Sequence, residues 1–210
     1  MANINTSENQ GNVILLDFNC NCTNLTLDNI LNKYSAVYIN NSKGYNIKFN
    51  SNIHINKNSS LFLDSLVLNN NIVFNNDGML YLKKCTLNGY DLKHIFFSSG
   101  LNSDPAILEN NGQCILENCI ISDNKCDNIL ENKRIMVIIN STVKNNHASK
   151  YGVIYNNGGV LNSFNTTFLS NKGEDIYNFQ IGDCVLINSN YSNVVFDKPL
   201  SNLQMDLIQT

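Results

Sequence analysis

Residues 118–124 read Asn-Cys-Ile-Ile-Ser-Asp-Asn, residues 140–146 read Asn-Ser-Thr-Val-Lys-Asn-Asn, and residues 165–171 read Asn-Thr-Thr-Phe-Leu-Ser-Asn. The three share one form: an asparagine, a small residue, an apolar residue two positions further on, and a closing asparagine. They start 22 and 25 residues apart, and a looser copy follows 23 residues later at Asn188. Two degenerate copies start earlier, at Asp64 and Lys84. Self-similarity with a period in the low twenties marks a chain built of stacked turns, each too small to bury its apolar edge alone.

Short alternating stretches precede the copies: Leu61 with Leu63, Leu80 with Leu82, Cys114 with Leu116, Met136 with Ile138, and Val185 with Ile187. Period two predicts strands with one buried face, and a 3.6-residue period is sustained nowhere. The best helical candidate is the stretch from Leu25 to Tyr34. Repeats this short with strands this short predict an all-β chain, a right-handed single-stranded parallel β-helix of about 8–9 rungs stacked about 4.8 Å apart, with capped ends. A leucine-rich repeat is suggested by Leu63, Leu66, Leu68 and Asn70, but later copies lack its leucine spacing.

Each motif position then acquires a physical role. The leading asparagines Asn118, Asn140, Asn165 and Asn188 suit left-handed corners and can pass hydrogen bonds from rung to rung. The small residues Ser65, Cys85, Cys119, Ser141, Thr166 and Ser189 suit a crowded bend, and Val67, Leu87, Ile121, Val143, Phe168 and Tyr191 are predicted to stack inward as a ladder. The repeats occupy residues 61–197. Residues 1–60 keep the alternation but lose the motif, as a cap with first degenerate rungs would, and residues 198–210 form a tail or second cap. One interval of 34 residues holds about a dozen extra residues around His94 to Pro105, and insertions in solenoids map to loops on one face, often the binding face.

Composition agrees with this reading. Asparagine fills 42 of 210 positions and proline only 2, while 43% apolar content suffices for a core. A net charge of −3 with a single arginine, Arg134, gives no reason to expect a nucleic-acid partner. No run approaches the roughly 20 apolar residues of a membrane span. The first twelve residues lack a basic leader and an apolar stretch, so no secretory signal is expected. Seven cysteines without a C-x-x-C pair predict small buried hydrophobes rather than a zinc site or a disulfide framework.

The stretch 151–171, Tyr-Gly-Val-Ile-Tyr-Asn-Asn-Gly-Gly-Val-Leu-Asn-Ser-Phe-Asn-Thr-Thr-Phe-Leu-Ser-Asn, resembles the G-G-A-I-Y-N and F-x-x-N repeats of polymorphic outer-membrane proteins and adhesin-like surface proteins with a pectin-lyase-like β-helix. Asp175-Ile-Tyr-Asn178 is a second pass of the same kind. The resemblance implies a cell-surface or extracellular adhesion role with a glycan or a host or cell-surface protein as partner. It also implies an export signal and anchor, neither of which is read in these residues.

The same architecture hosts polysaccharide lyases and glycoside hydrolases, so catalysis is weighed residue by residue. Glycoside hydrolysis wants two carboxylates about 5–9.5 Å apart. The chain has no D-D or D-x-D, and the adjacent pair Glu174-Asp175 is expected on a solvated loop. Glu109 and Glu117, with Asp104 and Asp123, are the densest acidic group, and rung stacking would set Glu117 between Lys83 and Ile139. His54, His94 and His147 are dispersed, with His147 expected in an exposed turn. No catalytic residue, metal site or cofactor is therefore assigned. The better expectation is a non-enzymatic binding scaffold, its candidate face being the tyrosines Tyr151, Tyr155, Tyr177 and Tyr191, with Tyr191 expected in the core.

Overall fold

The computed structural model describes residues 4–9, 13–18, 20–69, 72–92, 106–179 and 181–197. Three main parallel sheets wrap a single core, and from Ser60 to Leu169 each turn of the chain supplies one strand to each in succession, while Cys22–Leu25 and Ile47–Phe49 pair in a small sheet of their own in the first turns. The turn that contains the first motif shows the pattern. Gln113–Glu117 lies in a nine-stranded sheet, Ile120–Ser122 in a five-stranded sheet, and Leu130–Asn132 in a seven-stranded sheet, after which Ile135–Ile139 returns to the first. Eight of the nine strands in the longest sheet run parallel, from Val13–Phe18 to Asp183–Ile187. They enclose about seven turns, roughly 34 Å of rod at the usual strand spacing. The chain is a parallel β-helix.

The ninth strand, Ile4–Asn9, pairs antiparallel with Val13–Phe18 and so occupies the N-terminal sheet edge that would otherwise offer unpaired backbone groups. A short helix, Asp28–Lys33, falls inside the stretch expected to be helical. Leu27 and Leu31, four residues apart, are both buried on its inner side.

Core files follow from the registers. Val37, Leu61, Leu80, Cys114, Met136 and Leu161 superpose inside the nine-stranded sheet, and all are fully buried. Leu87, Ile121, Val143 and Phe168 superpose inside the five-stranded sheet. Tyr191, one residue past the bridge between Thr167 and Asn190, packs half-buried at the end of this file.

Two alignments differ from the sequence reading. The first copy is displaced by one residue: Leu68 pairs with Leu87 and is 4% exposed, whereas Val67 points outward at 54%. The cause is the corner, where Ser65 takes the left-handed conformation at φ 62° and Leu66 fills the bend assigned to Ser65. At the other end, Val185 and Ile187 face outward and Cys184 and Leu186 continue the inner files. Four consecutive apolar residues, 184–187, leave period two without a preferred face.

The leading asparagines Asn118, Asn140, Asn165 and Asn188 all have φ between 49° and 54°. Asparagine tolerates this region, and the bend leaves the Asn118, Asn140 and Asn165 amides donating to the next turn's carbonyls at 2.9–3.0 Å. These side chains are exposed, and Asn165 Nδ2 to Asn140 Oδ1 (3.1 Å) is the rung-to-rung bond formed between them. The buried amide files lie elsewhere. Asn76, Asn110, Asn132, Asn156 and Asn178 stack inside the seven-stranded sheet, each Nδ2 donating to the next Oδ1 at 2.5–2.8 Å. Each of the first four also donates to the carbonyl that opens the nine-stranded-sheet strand one turn further on, of Gln113, Ile135, Val160 and Asp183. The closing asparagines Asn124, Asn146 and Asn171 form a second file through bonds of 2.9 and 3.1 Å.

The interior asparagines need room at the corner that follows. A Cβ on Gly159 would lie 2.5 Å from Asn132 Nδ2, and one on Gly182 would lie 2.7 Å from Asn156 Nδ2. The bend residues Cys85, Cys119, Ser141 and Ser189 approach the carbonyls of Leu63, Leu82, Leu116 and Ser163 in the preceding turn. Thiol and hydroxyl thus serve the same position. All seven cysteines are free, and Cys85, Cys114, Cys119 and Cys126 are buried, where desolvation pushes the Cys85 thiol up to about 12 and the Cys119 thiol up to about 11.

Candidate recognition face on the seven-stranded sheet

Strand alternation that turns Leu108, Leu130, Ile154 and Ile176 inward turns the residues after them outward. Register places Glu109, Glu131, Tyr155 and Tyr177 in one exterior file along the rod. Tyr151, from the corner before Ile154–Asn157, lies against Tyr155 with ring centroids 4.7 Å apart and planes 18° from parallel. Tyr177 meets both rings edge-on at 6.2 and 6.0 Å, and Phe179 leans on Tyr155 at 6.0 Å. Four aromatic rings thus form one continuous patch, with Tyr151 its most open member at 39% exposure.

A polar cluster adjoins the rings. Lys133 Nζ lies 2.5 Å from Glu109 Oε1 and 3.3 Å from Glu131 Oε1, and Asn157 Nδ2 donates to Glu131 Oε1 at 3.0 Å. Partial burial alone would lower the Lys133 ammonium, but the two carboxylates overturn this and hold it above the ordinary lysine value. Desolvation among the rings, reinforced by Glu131, pushes the Tyr155 hydroxyl up to about 12. The Tyr177 hydroxyl is raised by partial desolvation and then by the nearby Asp197 carboxylate.

Of the tyrosines singled out in the sequence, Tyr151, Tyr155 and Tyr177 come together and Tyr191 does not. Phe179, Glu131 and Asn157 were not anticipated. Glu131 belongs to the triplets Leu108-Glu-Asn110, Leu130-Glu-Asn132, Ile154-Tyr-Asn156 and Ile176-Tyr-Asn178, which start 22, 24 and 22 residues apart and place an inward, an outward and an inward side chain each time, and Asn157 and Phe179 follow directly after the last two.

The remaining acidic and basic candidates disperse. Glu109 lies on the seven-stranded sheet and Glu117 on the nine-stranded one, between Lys83 and Ile139, where it accepts a hydrogen bond from the Tyr81 hydroxyl. Asp123 sits at a left-handed corner with φ 59°. Asp175 is not solvated but 2% exposed, accepting from Asn171 Nδ2 (2.9 Å) and the Ser192 backbone N–H (2.6 Å), because the final turns need an acceptor there for otherwise buried donors. His147 occupies a two-residue strand paired with Lys125, half-buried rather than in an exposed turn. His54 lies 3.4 Å from Asp77. Asp104, His94 and the 94–105 insertion fall outside the described residues.

Among the described residues no three His, Cys, Asp or Glu side chains cluster as metal ligands, and no helix is long and apolar enough to cross a membrane. A second aromatic run, Tyr38, Phe62 and Tyr81, lies outside the nine-stranded sheet, its first two rings stacked at 4.2 Å. Beside it Asp64 and Glu117 flank Lys83 in register, but no ion pair joins them among the described residues and Glu117 is engaged by the Tyr81 hydroxyl. Comparison with protein-family models, curated proteins and solved structures finds no match.

Proposed function

We propose that this β-helix is a non-enzymatic, adhesin-like recognition scaffold that binds a glycan through the aromatic and carboxylate face of its seven-stranded sheet. The observation that carries this reading is the patch of Tyr151, Tyr155, Tyr177 and Phe179 beside Glu131 and Asn157. Aromatic faces stack on the CH surface of a pyranose ring, and fixed carboxylate and amide groups at the rim exchange hydrogen bonds with hydroxyls. Strands of a stacked rod hold such groups more exactly in place than loops do. Placement at a cell surface rests on the resemblance of the Ile-Tyr-Asn and F-x-x-N repeats to adhesin-like proteins.

A second reading, a polysaccharide lyase or glycoside hydrolase, is favoured by Glu109 and Glu131, which sit on adjacent rungs, about 4.8 Å apart in the backbone and near the spacing of a retaining pair. Against it, the Lys133 ammonium bridges the two carboxylates and fills the space a glycosidic oxygen would need.

A glycan array probed with the full chain separates these. Retention of oligosaccharides that Tyr151→Ala weakens by about tenfold, one buried aromatic contact's worth, supports recognition. Release of shortened or unsaturated products that stops in Glu131→Gln would replace it with catalysis.

A further inference from the structure

The charge around the rings goes further than the rings themselves. Glu131, Glu174 and Asp197 all border the patch: Glu131 is next to Tyr155 in the exterior file, the Asp197 backbone N–H donates to Asn178 O (3.0 Å) one turn beyond Tyr177, and Glu174 O accepts from the Val153 N–H (2.8 Å), two residues after Tyr151. Two cations near the rings are committed elsewhere, Lys133 to Glu109 and Glu131, and Lys150 to the buried Asp127, while the exposed Lys172, two residues before Glu174, offsets only part of the negative charge. Glu174 and Asp197 form no ion pair among the described residues. The platform is therefore electronegative twice over, through its carboxylates and through the π-faces of its rings.

Ring geometry restricts how a cation could enter. Tyr151 and Tyr155 are stacked at 4.7 Å, so nothing inserts between them and no cage for a lone ammonium exists. A ligand must lie across the outer ring faces and bring its charges to the edges, where the carboxylates are. A flat pyranose with an amino substituent does both. Its CH face covers the rings, and its ammonium groups reach the carboxylates and the ring quadrupoles. A uronate presents carboxylates to carboxylates and is repelled.

We propose that the face selects saccharides carrying free amino groups and rejects uronic-acid polymers. This rests on the glycan-recognition reading above and adds the sign of the ligand's charge.

The test is titration calorimetry on the full chain, at mildly acidic pH, with hexamers of β-linked glucosamine, N-acetylglucosamine and glucose, and of galacturonate, and with a lysine-rich peptide. The glucosamine hexamer is expected to bind about tenfold tighter than its N-acetylated counterpart, with the advantage collapsing in about 0.5 M salt. Galacturonate should not bind. Glu174→Gln should weaken the glucosamine hexamer by about threefold and leave the N-acetylated one unchanged, as loss of an exposed charge contact does, while Tyr151→Ala weakens both. Circular dichroism identical to the parent chain establishes that each variant is folded.

Equal affinity for the amino and N-acetylated hexamers, or preference for galacturonate, overturns the charge assignment and leaves glycan recognition standing. Binding of the peptide with no hexamer bound overturns both.

Discussion

Asparagine does two different jobs in this molecule, and the corners after the nine-stranded and the seven-stranded sheets show them apart. At the corner after the nine-stranded sheet, Asn118, Asn140, Asn165 and Asn188 are exposed and contribute a backbone conformation. At the corner after the seven-stranded sheet, Asn76, Asn110, Asn132, Asn156 and Asn178 are buried and contribute their amides. The first set is replaceable by anything that tolerates positive φ. The second is replaceable by almost nothing, since its middle members Asn110, Asn132 and Asn156 are each both donor and acceptor for their neighbours. The file begins at Asn76 because Ile55 occupies the equivalent place in the turn before, leaving Asn76 Oδ1 buried without a partner.

Substitution should separate the two sets by magnitude. Asn132→Leu leaves one Asn110 Nδ2 hydrogen without its acceptor and removes the donor to Asn156 Oδ1 and Val160 O, and should cost about 3–5 kcal/mol in chemical denaturation. A loss below about 1 kcal/mol would show that the file is incidental to stability.

Next is the glycine corner that accommodates the file. Gly159→Ala drives a methyl to within 2.8 Å of the Arg134 backbone nitrogen as well as against Asn132, and should cost about 2–3 kcal/mol; an unchanged denaturation midpoint would contradict the crowding.

Smallest are the exposed corners. Asn140→Ala should lose about 1 kcal/mol and Asn140→Gly less than about 0.5 kcal/mol, by the same measurement. If the glycine variant were the worse of the two, the Asn140 side chain rather than its φ would be what matters.

How far the sequence could be read depended on whether local pattern alone fixed a face. Where an apolar residue alternated with polar ones, as at Leu80 and Leu82 or Met136 and Ile138, strand and inward face were legible. Where two apolar residues were adjacent, as Val67 and Leu68, only pairing with Leu87 decided which one was buried. The asparagine files were misplaced for a related reason. A polar residue in a strand reads as outward, and nothing local reveals that five such residues satisfy one another in the interior. Half of the candidate face was visible as tyrosines near rung spacing. Its acidic half was not, because Glu109 and Glu131 become neighbours of Tyr155 only when three turns are laid in register.

The amino-acid sequence by itself determined that this chain would coil into short parallel strands, because a motif recurring at 22–25 residues permits each turn to bury its apolar edge only on a copy of itself. Tertiary structure alone decided which asparagines are interior and which aromatic and acidic side chains share a surface. Those outcomes depend on register between turns, and a shift of one residue exchanges the inside of a strand for its outside.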